Sequence, residues 1–456
     1  MGWEKGAIRS YMLLKSKEAS FSDVVRILFS NDIKIRKNFV DCPKDTRENF
    51  PPRWPIFVSL VAQKSLQIVS KPMAKVGTAI ERRLNLLSGR DPDRTSPTFV
   101  SMVGLMDDRV ELDSSIKYGD PRYNSVLSMM AAKISYENEN YIKSTVEDHW
   151  KMEFLGSYNF WNDYQEKSST QAFMLRDKAT DHNIIVVAFK GTEPFDADSW
   201  LSDVDLSWYE LYGVGRTHRG FMKALGLQKN VGFPKEIDQD DNHPPSAYYA
   251  IREMLKQLLA KDDRARYILT GHSLGGALAI LFPAILALHG EKLLLERFEG
   301  VYTFGQPRVG DKEFAEYMEQ NLIDYNIRYF RLVYSNDIVP RLPYDDKTLM
   351  FKHFGPCVFY NSFYEGEIVS EEPNRNYFSL QEAIPMWTNA VWELIRSFVI
   401  GKIEGPFYKE STLQKGFRVF GLVVPGISAH STQDYVNATR LGSPDLFSQH
   451  RIRSDE

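Results

Sequence analysis

Cysteine is nearly absent, with Cys42 and Cys357 the only two in 456 residues. Two distant cysteines make no disulfide scaffold and fit a reducing compartment better than a secreted one. Long apolar runs are also missing. The opening MGWEKGAIRSYMLLKSKEASF holds no apolar stretch of secretory length. Gly2 invites myristoylation, but Gly6 stands where Ser or Thr is wanted, so that modification is not expected. Without secretion, the Asn437-Ala438-Thr439 sequon is expected to stay idle. Neither sign of charge dominates, since 56 Lys and Arg against 60 Asp and Glu leave −4, and wholesale nucleic-acid binding is not expected. Internal repeats, low-complexity tracts and metal-spaced His/Cys clusters are lacking too, so neither a metal nor an organic cofactor is expected.

What is present is the balance of a globular protein, 43% apolar and 25% charged, with an aromatic surplus of 13%. Length alone suggests roughly three units, though one α/β domain with insertions reaches this size. Residues 54–70, WPIFVSLVAQKSLQIVS, are mostly apolar, and Ser59, Gln63, Gln67 and Ser70 make one narrow polar stripe on a helix. The run falls short of the ~20 residues that span a bilayer, and Lys64 interrupts it. Pro72 is expected to end it and start a second helix, with Met73, Val76, Ile80, Leu84 and Leu87 on one face. Between 62 and 90, six basic residues face Glu81 alone. Either both helices pack on the neighbouring domain, or they form a monotopic anchor with basic side chains near phosphates. Pro51, Pro52 and Pro55 before this region and SGRDPDRTSP after it read as boundaries.

From about 120 the chain alternates. Helices are expected at 123–136, 138–150, 246–260, 274–288 and 311–322. Strands are expected at Gln171–Leu175, Ile184–Phe189, Arg266–Thr270, Val301–Phe304 and Ile327–Tyr334. Such alternation implies a mostly parallel sheet covered on both faces, with the site along the strand carboxyl ends.

Gly271-His272-Ser273-Leu274-Gly275 matches G-x-S-x-G between a strand and a small-residue helix, the context of a nucleophile elbow. Ser273 then needs an acid and a histidine, in that chain order. Asp337 lies just past the strand ending at Tyr334, whereas Asp311 reads as a helix N-cap. His353, His430 and His450 follow Asp337. His353 sits in a strand-like run and His450 in a charged tail. His430 lies in the loop PGISAHS, from which it can swing over the elbow, and is preferred. The oxyanion donors are expected to be the Leu274 amide and Thr192, which follows the strand IIVVAF. Residues 194–213, PFDADSWLSDVDLSWYELYG, read as an amphipathic lid or as an ordinary surface helix. Residues 384–400 place Ile384, Trp387, Val391, Leu394, Ile395 and Phe398 on one face, which either packs internally, joins subunits or dips into lipid.

FKGTEPF, the Trp200–Asp203 segment, HRGF, TGHSLGG, TFGQPRVG and NDIVPRLP together resemble class 3 lipases, the group that includes filamentous fungal triacylglycerol lipases. The similarity covers about 120–445. It implies an α/β-hydrolase fold, with Ser273 as nucleophile, Asp337 as acid, Thr192 and Leu274 at the oxyanion, and a lid after Thr192. The catalytic histidine of that family lies well after the acid, which favours His430, and His218 would be structural. The amino-terminal extension and AHSTQDYVNATRLG are similar to plant oil-body-associated lipases. That implies hydrolysis of stored triacylglycerol at lipid droplets, peripherally on the cytosolic side. The expected layout is an extension over 1–95, anchored through 54–87, and a hydrolase domain over 96–456 with a lid at about 194–213 and an insertion at about 360–410. Rival readings are a phospholipase A1 or galactolipase using the same machinery, and a lipase-like scaffold that binds lipid without chemistry. Oligomeric state is left open.

Overall fold

The run Ile184–Phe189 is apolar at every position, so a strand made from it must be covered on both faces. The computed structural model describes residues 6–29, 39–43, 53–179, 182–227, 232–237, 244–343, 351–375 and 383–448. Its strands are β1 (Ile8–Leu14), β2 (Val40–Asp41), β3 (Glu153–Asn162), β4 (Lys167–Ala179), β5 (His182–Phe189), β6 (Trp208–Leu211), β7 (Gly215–His218), β8 (Arg266–His272), β9 (Phe298–Phe304), β10 (Arg328–Tyr334), β11 (Cys357–Tyr360) and β12 (Gly366–Val369). The main sheet runs β12-β11-β10-β9-β8-β5-β4-β3. Strands β5, β8, β9, β10 and β11 are mutually parallel. Antiparallel β12 closes one edge, and the β4–β3 meander closes the other.

Side chains of β5 alternate between two cores. Ile185, Val187 and Phe189 join the helix Leu274–His289, while Ile184, Val186 and Ala188 join the helices Tyr123–Ile134 and Thr432–Leu441. This is the α/β-hydrolase arrangement, a mainly parallel sheet with helices on both faces. It brings Gly191, Ser273, Gly305 and Asp337, which follow β5, β8, β9 and β10, to one edge.

The amino-terminal region departs from expectation in three ways. Pro72 does not end a helix, because a single helix runs over Arg53–Leu87 with Pro72 inside it. The extension is helical but also contributes strands. β1 pairs antiparallel with β2 and with β6 in a second sheet of order β2-β1-β6-β7. That sheet takes up the second half of the expected lid, where Trp208 and Leu211 are buried in strand β6. Only the short helix Ala197–Asp203 remains to cover the site. Pro51, Pro52, Gly2 and His450 lie outside the described residues.

The polar stripe of the long helix turns inward. Ser59 Oγ donates to the Val204 carbonyl at 2.7 Å, Gln63 Nε2 reaches Asp205 Oδ1 at 3.5 Å, and Gln67 donates to Ser16 Oγ at 2.8 Å. Further along, Gly77 leaves the space that the Phe195 ring occupies, and buried Glu81 pairs with Arg94. Trp54, Ile68, Val76 and Leu87 are instead exposed. The helix packs with Ser59, Gln63 and Glu81 alongside Ile56 and Leu60, and shows most of its other large apolar side chains to the surroundings together with Lys71, Lys75, Arg82 and Arg83. Among the described residues no helix is long and apolar enough to cross a membrane.

Candidate active site

Ser273 stands between β8 and the helix Leu274–His289 with φ 59° and ψ −131°, a strained backbone for a residue with a side chain. The turn is tight because Gly271 and Gly275 have no Cβ. One at Gly271 would strike the Gly275 backbone, and one at Gly275 the Phe189 carbonyl. Ser273 N–H donates to the Phe304 carbonyl at 2.9 Å, which ties the elbow to β9. Leu274 opens the helix, where the first amides have no intrahelical acceptor and the dipole end is positive.

Asp337 follows β10 and is fully buried. Its carboxylate accepts from Val339 N–H at 2.9 Å and from the Tyr435 hydroxyl at 2.5 Å. It also meets His430 Nδ1, with Oδ1 at 3.0 Å and Oδ2 at 2.8 Å. A carboxylate can only accept here, so Nδ1 carries the proton and Nε2 presents its lone pair. Neither His430 Nε2 nor Ser273 Oγ makes a hydrogen bond among the described residues, and both atoms are buried. The Trp200 ring lies edge-on to His430 at 6.4 Å between centroids, which sets the helix Ala197–Asp203 over the histidine.

The rival histidine is placed elsewhere. The side chain of His353 is buried, donates from Nε2 to the Pro340 carbonyl at 2.7 Å and lies 3.7 Å from Glu372. Burial, reinforced by the Arg331 charge, holds its imidazole well below the usual range. Asp311 caps the helix Lys312–Asp324, accepting from Phe314 N–H at 3.0 Å. His218 donates to the Asp205 carbonyl at 2.5 Å and stacks on Phe221, and burial pushes its pKa down to about 4. It holds the end of the covering segment.

Thr192 is buried two residues beyond Lys190, and its hydroxyl donates to Asp203 Oδ2 at 3.3 Å. Burial raises the Asp203 carboxyl to about 7, partly offset by the Thr192 and Ser202 hydroxyls. The expected oxyanion threonine is thereby fastened to the covering helix. Sequence reading missed this role of Asp203, although the Trp200–Asp203 segment stood out. It missed Tyr435 as well, which a pattern on the helix Thr432–Leu441 does not distinguish from a core residue. It also missed what His272 does. Nε2 of His272 donates to the His430 carbonyl at 3.0 Å, and Nδ1 accepts from the Tyr136 hydroxyl at 2.9 Å. Burial and the neighbouring His430 hold His272 well below the usual range, so it stays neutral.

A strained serine on a strand–turn–helix elbow, at the carboxyl edge of this sheet and beside an Asp–His pair, defines a serine hydrolase of the α/β-hydrolase class. The lipase (class 3) family model matches residues 186–347. A triacylglycerol lipase OBL1 from Nicotiana tabacum is 41% identical, with 86% of this chain and 83% of that protein covered. The Arabidopsis thaliana triacylglycerol lipase OBL1 is 39% identical, with 97% of each covered. Among solved structures, Rhizomucor miehei lipase in its propeptide complex is 22% identical, covering 54% of this chain and 70% of that chain at a TM-score of 0.40. The chain belongs to the class 3 lipase family.

Proposed function

We propose that this protein hydrolyses the acyl esters of triacylglycerol at the surface of lipid droplets, the oil bodies of plant cells, peripherally on the cytosolic side. Ser273 is the nucleophile, His430 the base and then the acid, and Asp337 the residue that orients the imidazole. The observation that carries this reading is the Asp337–His430 pair at 2.8 Å, set beside the strained elbow of Ser273.

In this mechanism Ser273 Oγ attacks the ester carbonyl as its proton passes to His430 Nε2. The Leu274 and Thr192 amides hold the oxyanion. Collapse breaks the ester bond, His430 protonates the departing diacylglycerol oxygen, and an acyl-serine remains. Water, deprotonated by His430, attacks that ester, and the fatty acid leaves as Ser273 regains its proton. No metal or organic cofactor takes part. The helix Ala197–Asp203 is the lid and must move for substrate to reach Ser273.

Residues 1–95 form the extension that attaches the enzyme, and 96–456 the hydrolase. The outward side of the helix Arg53–Leu87 inserts Trp54, Ile68 and Val76 among acyl chains, while Lys64, Lys71, Lys75, Arg82 and Arg83 meet phosphates. A helix that buries Ser59 and Gln63 while leaving Trp54, Ile68 and Val76 exposed supports this attachment.

The test is a substrate panel on purified protein. Emulsified triolein is expected to be hydrolysed faster than phosphatidylcholine liposomes or galactolipid, and the reverse order would favour the phospholipase A1 or galactolipase reading. Ser273→Ala is expected to abolish hydrolysis of every ester and to leave flotation with droplets intact. Retained hydrolysis would overturn the mechanism.

A further inference from the structure

The insertion after β12 contains a second helix that buries charge and leaves large apolar side chains outside. The helix Ala383–Ile403 buries Glu393, Arg396 and Ser397 beside Met386, Ala390 and Ile400, and exposes Ile384, Trp387, Val391, Ile395 and Phe398. Its neighbour Thr412–Gly421 does the same, burying Gln414 and Arg418 while Val419 and Phe420 face outward. Val423, just beyond it, is 70% exposed, among the most exposed large apolar residues described.

The buried charges fix this orientation. Arg418 pairs with Asp434 at 2.7 Å and with Glu410 at 2.8 Å, and Arg396 pairs with Asp434 at 2.9 Å. Turning the apolar faces inward would strand these ions without partners. Asp434 precedes Tyr435, whose hydroxyl holds Asp337, so the two helices are locked to the frame of the site itself. They also adjoin its mouth. Gly421 packs against Ser428 in the turn that carries His430, and Ser431 Oγ donates to Gln414 Oε1 at 3.2 Å.

We propose that the outward face of the helices Ala383–Ile403 and Thr412–Gly421 is a second lipid-contact surface, which seats the mouth of the site on an anionic phospholipid monolayer covering neutral lipid. This rests on the droplet-bound reading above and deepens it. The long amino-terminal helix brings the enzyme to the surface, and this face sets the angle at which Ser273 meets it. Charge supports a lipid occupant. Lys402, Lys409 and Lys415 stand around the apolar side chains against Glu404 alone among solvent-facing charges of these segments, and Lys415 Nζ lies 4.9 Å from the Phe398 ring. Lysines bordering exposed Trp and Phe suit the phosphate level of a monolayer. A second copy of the chain on this face would bring the same lysines against each other.

The experiment uses the full chain and triolein droplets coated with phosphatidylcholine and phosphatidylserine. One variant carries Trp387→Ser, Ile395→Ser and Phe398→Ser, with Trp387→Ala/Phe398→Ala as a milder form. A reference variant carries Trp54→Ser, Ile68→Ser and Val76→Ser in the amino-terminal helix. Flotation, triolein hydrolysis at limiting droplet area, hydrolysis of a soluble short-chain ester and sedimentation are measured. The first variant is expected to keep its soluble-ester rate, which certifies its fold, and its sedimentation. It should lose about tenfold or more of both droplet binding and triolein hydrolysis. Flotation and triolein rates equal to wild type would overturn the proposal. So would dissociation of a wild-type dimer with droplet binding unchanged, which would assign the face to a second copy. Loss of binding in the reference variant alone leaves the amino-terminal attachment standing and sinks this surface. Failure of the wild type to bind droplets sinks both, whereas binding without triolein hydrolysis sinks only the substrate assignment.

Discussion

Gly305, just past β9, offers a way to separate the Asp337–His430 pair without touching either residue. Its φ is +60°, and a Cβ built there would lie 2.8 Å from Asp337 Oδ2, 2.8 Å from His430 Cε1 and 2.9 Å from His430 Nδ1. Ordinary contact begins near 3.4 Å, so Gly305→Ala drives a wedge of roughly 0.6 Å between donor and acceptor. A left-handed alanine also costs about 1 kcal/mol of stability wherever it occurs. Gly290 supplies the control, because its φ is +64° and nothing lies within 4 Å of its Cβ position. Gly290→Ala should therefore lower the melting temperature by about one degree, and Gly305→Ala by that amount plus the cost of its buried clash. Only Gly305→Ala should lower kcat, by about 10- to 100-fold, with KM little changed, since sub-ångström misplacement of a catalytic group is felt in the chemical step. The assay is steady-state hydrolysis of a soluble ester alongside thermal melts of both variants. If Gly305→Ala loses no more kcat than Gly290→Ala, the pair is not working as a unit and the assignment of His430 is wrong.

Asp203 should shape the pH profile of stability. Its carboxyl sits near 7 when folded and near 4 when unfolded, so it stabilises fully below about 4 and loses that contribution as pH rises through 7. Melting temperatures of wild type should fall relative to Asp203→Asn across that window, by an amount equivalent to roughly 3–4 kcal/mol at most, and superimposable profiles would refute this. Tyr435→Phe removes the 2.5 Å hydroxyl bond to buried Asp337 and should cost about 1.5–3 kcal/mol of stability, read by denaturant unfolding, together with a fall in kcat. Ser59→Ala with Gln63→Ala cuts the links from the long helix to Val204 and Asp205 and should raise the soluble-ester rate severalfold by loosening the lid; an unchanged rate would mean these contacts do not restrain it. Pro72→Ala should stabilise the exposed middle of that helix by about 1–3 kcal/mol without changing soluble-ester kcat, and a loss of stability would show that the proline is needed there.

The parts of this molecule that sequence reading reached are those whose physics is local. A buried strand, two glycines and a small-residue helix around Ser273 agree within some twenty residues, so the elbow is legible before any fold is known. Asp337 follows the same logic, as the first acid beyond a strand end. His430 needed more, since only the resemblance and its loop setting favoured it over His353; in the structure His430 meets Asp337 and His353 bonds the Pro340 carbonyl. The second sheet was out of reach because β1 and β6 pair across some two hundred residues, and the short β6–β7 hairpin gives no sign of the distant strand added to it. Strand β3 was missed because EFLGSYNFWN does not alternate cleanly; its residues are mostly half-buried at an edge.

The long helix carries the more general lesson. A polar stripe on an apolar cylinder looks the same whether the stripe meets water or a polar interior, and pattern alone leaves both open. Here the stripe finds carbonyls and hydroxyls to bond, at Val204 and Ser16, with Ile56 and Leu60 packed beside it and Trp54, Val61, Ile68 and Val76 left outside. The helix Ala383–Ile403 repeats the inversion with charged residues in place of polar ones, pairing Arg396 with Asp434 beneath exposed Trp387 and Phe398. In water this arrangement satisfies the polar groups but leaves large apolar side chains hydrated on both helices. On the droplet-bound reading proposed above, hydrocarbon takes the side chains that the core leaves outside. The aromatic surplus of the composition is thus divided between the interior and two outward faces, and the division follows from which polar groups the fold could satisfy inside.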